Sequence, residues 1–115
     1  MRYMLLLYHD DQLFPKPGTA EEGQLYQGYA RFHEEVQKIG ATGGSERLRP
    51  PSDATTVRVR KGKRVTTDGP FAETKEQLAG YYLLDCKDLD EALELAAILP
   101  SAQYGSVEVR PIFEM

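Results

Sequence analysis

The sequence predicts an α+β domain in which a split β-α-β order carries an inserted hairpin. Three observations lead to this fold class. Apolar runs of strand length occupy residues 2–9 and 78–86, an amphipathic segment of helical period follows each run, and a short alternating segment lies between them. At 115 residues the chain is long enough for one core and too short for two. We therefore predict a single domain over residues 1–115.

The first half of the chain predicts a strand, a helix and a second strand. Residues 2–9 are aromatic and aliphatic in both phases, which suits a strand buried on both faces. Thr19 followed by Glu22 is a capping-box pattern that begins the helix, and Gly40 ends it. The apolar stripe of this helix consists of Leu25, Tyr29, Phe32, Val36 and Ile39. Residues 41–48 return as a strand with a glycine-rich start.

A hairpin is predicted next, over residues 55–60 and 63–67, because Thr-Val-Arg-Val-Arg alternates with period two before Gly62. Basic side chains surround its turn: Arg58, Arg60, Lys61, Lys63 and Arg64. This pattern is typical of a solvated hairpin tip, and a phosphate site is the alternative. The net charge of −4 argues against an electrostatic grip on nucleic acid or anionic lipid, so we expect neither as a partner.

The last third predicts a strand, a helix and a final strand. Residues 78–86 are apolar in both phases. Asp88 with Glu91 repeats the capping box, and Pro100 ends the helix. The predicted apolar face of this helix is Leu89, Ala92, Leu93, Ala96 and Leu99. Residues 107–112 form the final strand, in which Pro111 favours an edge or terminal position.

Cysteine and histidine usage limits the kinds of site that we expect. A lone cysteine, Cys86, excludes an internal disulfide framework and fits a reducing compartment. Two histidines without metal-ligand spacing, and no phosphate or dinucleotide fingerprint, predict neither a metal nor a cofactor. The apolar N-terminus is too short for a secretory signal and no stretch is long enough to span a bilayer, so we expect a cytoplasmic protein.

The sheet is predicted to have two apolar faces. Two helices can cover only one face. Strands 2–9 and 78–86 carry apolar residues in both phases, so the second face also needs cover. A second copy packed sheet against sheet would supply it. We therefore expect a homodimer, with a pocket for a small molecule between the paired sheets.

The most specified segment of the chain runs from Asp68 to Glu76, as Asp-Gly-Pro-Phe-Ala-Glu-Thr-Lys-Glu. Gly69 can take φ > 0 before a proline, Asp68 is expected to bond amides of the turn, and Phe71 to pack on apolar surface. The segment resembles the signature of the YCII-related proteins, and residues 80–83, 88–92 and 100–111 look like later blocks of that family.

The resemblance implies a ferredoxin-like subunit of the dimeric α+β barrel group. It also implies a regulatory accessory role, because family members are often encoded beside alternative sigma factors of the extracytoplasmic type. Shorter members of the superfamily resemble enzymes with a His-Asp pair whose histidine lies in the first helix. The spacing to Gly40 places Tyr29, rather than His33, near that histidine's position.

Three residues are candidate acid–base groups: His33, Asp68 and Tyr29. His33 is alternatively a packed, hydrogen-bonded residue, and Asp68 the cap of its own turn. His9, beside two aspartates, joins such a site if the strand and helix ends converge. Candidate ligand-binding residues are Tyr26, Arg58, Phe71, Glu73, Lys75, Tyr81 and Tyr82, and Arg47, Arg58 and Arg110 are strand residues suited to an anionic ligand.

Several of these candidates carry open alternatives. Lys75 is expected either near Asp68, keeping it ionised, or in a surface salt bridge. Tyr81 and Tyr82 point to opposite faces, so only one lines an inter-sheet cavity.

The first functional hypothesis is a small-molecule-binding or sigma-factor-associated module. The second is a hydrolase, lyase or isomerase using His33 with Asp68 or a tyrosine. The third is a purely structural oligomer.

Overall fold

The computed structural model describes residues 1–115, which form a four-stranded antiparallel sheet, a separate hairpin and three helices. The strands are β1 (Arg2–His9), β2 (Thr42–Arg47), β3 (Thr55–Arg60), β4 (Lys63–Asp68), β5 (Gln77–Asp85) and β6 (Gly105–Pro111). The helices are α1 (Ala20–Lys38), α2 (Leu89–Ile98) and α3 (Ser101–Tyr104). The main sheet has the order β2-β5-β1-β6, and β3 pairs only with β4. The predicted α+β, ferredoxin-like fold is confirmed.

Both long helices begin at the predicted caps. The Thr19 hydroxyl accepts a hydrogen bond from the Glu22 amide at 3.3 Å. The Asp88 carboxylate accepts one from the Glu91 amide at 2.9 Å. Gly40, with φ of 69°, ends α1 in the left-handed conformation that favours glycine. Local side-chain chemistry therefore sets the bounds of these helices.

The core lies between the helices and one face of the sheet. Tyr3, Leu5 and Leu7 of β1 are buried against α1, whose buried residues are Leu25, Phe32 and Val36. Phe32 also packs on Tyr82 of β5, with ring centroids 4.7 Å apart. The last residue of the predicted stripe, Ile39, lies beyond the helix end and is exposed.

The predicted apolar face of α2 is rotated relative to the structure. Ala92, Ala96 and Leu99 are buried as expected, but Leu89 and Leu93 are each 47% exposed, and Leu95 is buried in their place. Apolar residues lie on every side of this helix, so the sequence pattern did not determine its rotation.

The other face of the sheet carries no helix. Met4 of β1 pairs with Leu83 of β5, and Leu6 pairs with Tyr81; all four are half-buried. We call these four residues the open face. Because successive strand residues alternate, Tyr82 points to the helices and Tyr81 to the open face. The predicted two-phase apolar character of β1 and β5 is therefore present.

The β3–β4 hairpin projects from the main sheet. Lys61 and Gly62, with φ of 52° and 76°, form its two-residue turn. Val57 and Val59 are 60% and 63% exposed. The radius of gyration is 16.1 Å, against about 13 Å for a compact chain of this length. The projecting hairpin and the flat sheet account for this extended shape.

The turn that follows β4 is held by residues other than Asp68. The Gly69 amide donates to the Ala54 carbonyl at 2.7 Å, and the Thr56 hydroxyl donates to the Gly69 carbonyl at 2.9 Å. The Gln77 side-chain amide donates to the carbonyls of Ala72 and Thr74 at 3.1 and 2.9 Å. The side chain of Gln77, at the start of β5, thus caps this turn, whereas we expected Asp68 to cap it.

Two expectations for this segment are wrong, and the structure decides between the two alternatives for Lys75. Asp68 is exposed and makes no hydrogen bond to the turn amides. Phe71 is 79% exposed, so it does not pin the turn against apolar surface of its own chain. Of the two alternatives for Lys75 the salt bridge is present: its exposed ammonium lies 3.9 Å from the buried carboxylate of Asp10.

Candidate functional site

A cleft of about 570 Å³ lies between the first half of α1, the edge strand β2 and the ends of β1 and β5. Apolar side chains form most of its wall: Leu7, Phe14, Leu25, Tyr26, Leu48 and Leu78. Polar side chains lie among them, including His9, Tyr29 and Arg47. Such a wall with a few polar groups is typical of small-molecule sites.

Strand register shows on which side of the sheet the cleft lies. Leu7 pairs with Gly80, and Gly80 pairs with Arg47, so these residues share the helix-facing side with Tyr82. His9 follows Leu7 by two residues and faces the same side. We expected a pocket between paired sheets, whereas the cleft within one chain lies on the opposite side of the sheet.

A hydrogen-bond chain connects two of the polar residues through a buried serine. The Ser101 hydroxyl lies 2.8 Å from Nε2 of His9 and 2.8 Å from the Tyr29 hydroxyl. Ser101 is fully buried, whereas His9 and Tyr29 are half-buried and face the cleft. The direction of each hydrogen bond depends on the His9 tautomer.

The backbone near Gly105 holds this chain together. Ser101 begins α3, and Gly105 joins α3 to β6 directly beside His9. A Cβ atom at Gly105 would lie 1.9 Å from the Tyr8 carbonyl oxygen, so only glycine permits this approach. The close contact brings Ser101 to the end of β1.

The loop after β1 covers His9 with an aromatic ring. The carboxylate of Asp10 is buried and accepts a hydrogen bond from the Gln12 amide at 3.0 Å. The Asp10 carbonyl accepts from the amides of Leu13 and Phe14 at 2.9 and 3.1 Å. The ring of Phe14 consequently stacks on His9, with centroids 4.4 Å apart.

Burial favours the neutral forms of these groups. It lowers the pKa of His9, and the positive charge of Arg47 lowers it further, against an opposing effect of Asp11. Burial raises the pKa of Tyr29, although the Ser101 hydrogen bond and Arg47 oppose this. Burial also raises the pKa of Tyr82 to about 12. At neutral pH these three groups are therefore a neutral imidazole and two neutral phenols, and charged side chains, among them Arg47, line the same cleft.

The predicted site residues fall into two groups. Those that line the cleft are Tyr26, Tyr29 and Tyr82, whereas Tyr81 borders it from β5 with its side chain on the open face. Those outside its lining are His33, Arg58, Asp68, Phe71, Glu73 and Lys75. His33 is exposed, and its Nε2 lies 3.2 Å from the Tyr82 hydroxyl rather than near Asp68. Catalytic roles for His33 and Asp68 stay predictions.

The sequence did not single out the residue that connects this site. Ser101 has no motif around it and lies 92 positions from His9. One expectation pointed toward this region at the end of β1. It was that His9 joins a site if the ends of the strand and the helix converge.

Comparison with known proteins places the chain in a family. A family model described as the YCII-related domain matches residues 1–115. The chain belongs to the YCII-related family. It is also similar to an uncharacterised protein of Rhizobium meliloti (strain 1021), with 40% identity over 114 residues that cover 97% of this chain and 92% of the relative. The resemblance drawn from the sequence segments is confirmed.

Other features of this YCII-related protein bear on its chemistry. Cys86 is buried, and burial raises the pKa of its thiol, which disfavours the nucleophilic thiolate. No group of three or more His, Cys, Asp or Glu side chains is placed to hold a metal ion. None of the helices has both the length and the apolar character needed to cross a membrane.

Proposed function

We propose that this YCII-related protein binds a small organic molecule in the cleft beside α1. The observation that supports this is a preformed cavity of about 570 Å³ with an apolar wall and a few polar groups. Ligand sites commonly have volumes of roughly 300 to 1,000 Å³ and this kind of lining.

An NMR screen of small aromatic and aliphatic compounds against the ¹⁵N-labelled chain tests this proposal. We expect shifted amide signals around the cleft. Ser45→Trp, which pairs with Tyr82 on the cleft side of β2, fills the cavity and weakens binding at least about tenfold. Ala97→Trp, on the exposed side of α2, is the matched control. Shifts located away from the cleft, or equal binding by both variants, would contradict the proposal.

An acid–base enzyme is the second candidate, and the His9–Ser101–Tyr29 chain favours it. With His9 as its Nδ1–H tautomer, Tyr29 donates to Ser101, and Ser101 donates to Nε2 of His9. When a substrate proton moves to the Tyr29 oxygen, the tyrosine proton moves to Ser101 and the serine proton to His9. The neutral imidazole thus becomes imidazolium and acts as the final base. Proton abstraction of this kind begins many lyase and isomerase reactions.

Exchange of substrate hydrogen for solvent deuterium tests the enzyme proposal on compounds that bind in the screen. We expect Tyr29→Phe and His9→Gln each to abolish exchange while the chain stays folded. His33→Ala in the same assay tests the predicted role of the helix histidine. Unchanged exchange in Tyr29→Phe would exclude the proposed relay.

We also propose that two copies associate through the open face. The protein measures 49 × 43 × 18 Å, so it is a flat molecule, and the open face of its sheet is apolar and carries no helix. Sedimentation at micromolar concentration should give twice the chain mass of 13.0 kDa. Leu6→Lys on the open face should give single chains, whereas Leu93→Lys on α2 should not. A wild-type protein that sediments as one chain would refute this dimer.

The sigma-factor link is a proposal that depends on the family resemblance alone. A pull-down from cell extract with the purified chain tests it. Capture of no sigma factor and no polymerase subunit counts against the link, and the ligand-binding proposal is unaffected by that result.

A further inference from the structure

A β-bulge in the edge strand determines which charge faces the cleft. Thr42 pairs with Leu84, and Ser45 pairs with Tyr82, so three steps along β2 match two steps along β5. Gly44, with φ of 108°, adopts a conformation that favours glycine at the extra position.

Without the bulge, alternation from Thr42 would place Glu46 on the helix-facing side. With it, Arg47 faces that side and Glu46 pairs with Tyr81 on the other side. A bulge that redirects one side chain beside a cavity is a recurring feature of functional sites.

Arg47 has open space in front of it and no partner. It pairs with Gly80, which has no side chain to occupy the cleft in front of the guanidinium. No salt bridge of the chain includes Arg47, whereas Arg49 is paired with Asp53 at 2.9 Å. Arg47 lines the same cleft as His9 and Tyr29, and its positive charge acts to lower the pKa of both.

Three acidic residues also border the cleft: Asp11, Glu22 and Glu46, the last with its side chain directed to the other side of the sheet. Glu22 accepts a hydrogen bond from the Gly18 amide at 3.1 Å, at the start of α1. Asp11 is exposed in the loop after β1. None of these three carboxylates forms an ion pair with the Arg47 guanidinium.

We propose that Arg47 binds the carboxylate of a small organic acid whose apolar body fills the cleft. This inference rests on the proposed small-molecule function. A guanidinium presents paired N–H donors that match the two oxygens of a carboxylate. Of the two guanidiniums in the cleft lining, Arg49 is paired with Asp53, so the unpaired Arg47 balances one negative charge, which favours a monoanion over a phosphate dianion.

The buried hydrogen-bond chain supplies a further donor. With the Nε2–H tautomer, neutral His9 donates to Ser101, and Ser101 donates to the Tyr29 oxygen. The Tyr29 O–H is then free to donate to a ligand oxygen beside Arg47. A carboxylate ligand therefore selects this direction of the chain, and the apolar wall suits an aromatic or aliphatic body.

Titration of the full chain with four probes tests the inference: benzoate, benzamide, benzylammonium and phenyl phosphate. We expect benzoate to bind at least about tenfold more tightly than benzamide, a difference of about 1.4 kcal/mol. Arg47→Met should remove this preference, whereas Arg58→Met, in the hairpin, should retain it. The double variant Glu46→Arg with Arg47→Glu keeps the net charge and should prefer benzylammonium.

The outcomes separate this inference from the function on which it rests. Equal binding of benzoate and benzamide, or an unchanged preference in Arg47→Met, overturns the carboxylate site but leaves small-molecule binding intact. Tighter binding of phenyl phosphate through Arg47 overturns the carboxylate class. Binding of uncharged compounds alone overturns the inference only, whereas a cleft that binds nothing in the whole screen overturns both proposals.

Discussion

Replacing Ser101 with alanine tests whether the buried hydrogen-bond chain stabilises the fold. The serine hydroxyl is fully buried and makes two hydrogen bonds of 2.8 Å, to His9 and to Tyr29. Each such bond contributes about 0.5 to 1.5 kcal/mol net. Because His9 and Tyr29 face the cleft, water can replace part of what they lose. We therefore expect a loss of about 2 kcal/mol in the free energy of unfolding.

Urea unfolding followed by circular dichroism measures this loss. The slope of free energy against urea should stay constant, because the surface exposed on unfolding hardly changes. In a chain of this length the melting temperature should fall by about 8 °C. Ser106→Ala, at an exposed position of β6, is the matched control and should change stability by less than about 0.5 kcal/mol. Equal stability of the two variants would refute a structural role for the chain.

Three further predictions concern stability, each measured by urea unfolding. Gly105→Ala should lower the free energy of unfolding by about 2 to 3 kcal/mol, because the added Cβ would lie 1.9 Å from the Tyr8 carbonyl oxygen. Gly23→Ala in α1 is the control: its Cβ would contact nothing, and alanine should raise the free energy of unfolding by about 0.5 to 1 kcal/mol. Leu95→Ala, at a buried position of α2, should lower the free energy of unfolding by about 2 to 5 kcal/mol, and Leu93→Ala, at an exposed position, by less than about 1 kcal/mol. The reverse order would contradict the assignment of the buried face of α2. Burial lowers the pKa of His9 below 6.5, so the histidine binds a proton more readily in the unfolded chain than in the folded one. The free energy of unfolding should therefore fall as the pH drops below 6.5. The fall should be less steep in His9→Gln.

Local chemistry made much of the fold predictable. The caps at Thr19 and Asp88 and the turn at Gly62 act over a few residues, and each begins or ends an element as predicted. The apolar phases of β1 and β5 likewise predicted a sheet with two apolar faces. These features depend on neighbours in sequence, so one sequence suffices to read them.

The site depends instead on contacts between distant segments. Ser101 reaches His9 only because α3 packs beside the end of β1. The direction of Arg47 depends on where the bulge in β2 falls, and a run of two glycines does not specify that position. Phe71 shows the same limit: the sequence predicted packing against apolar surface, but the residue is 79% exposed.

The cleft and the open face lie on opposite sides of one sheet, so ligand binding and self-association can be separated. Leu7 faces the cleft, and its neighbour Leu6 faces away from the helices. Sites on opposite faces with no shared partners usually act additively. We therefore expect Leu6→Lys to remove the dimer and retain benzoate binding. Arg47→Met should retain the dimer and lose benzoate binding. Sedimentation and titration of the same samples measure both properties. Loss of benzoate binding in a folded, monomeric Leu6→Lys variant would mean that the second copy completes the cleft across the edge of the sheet.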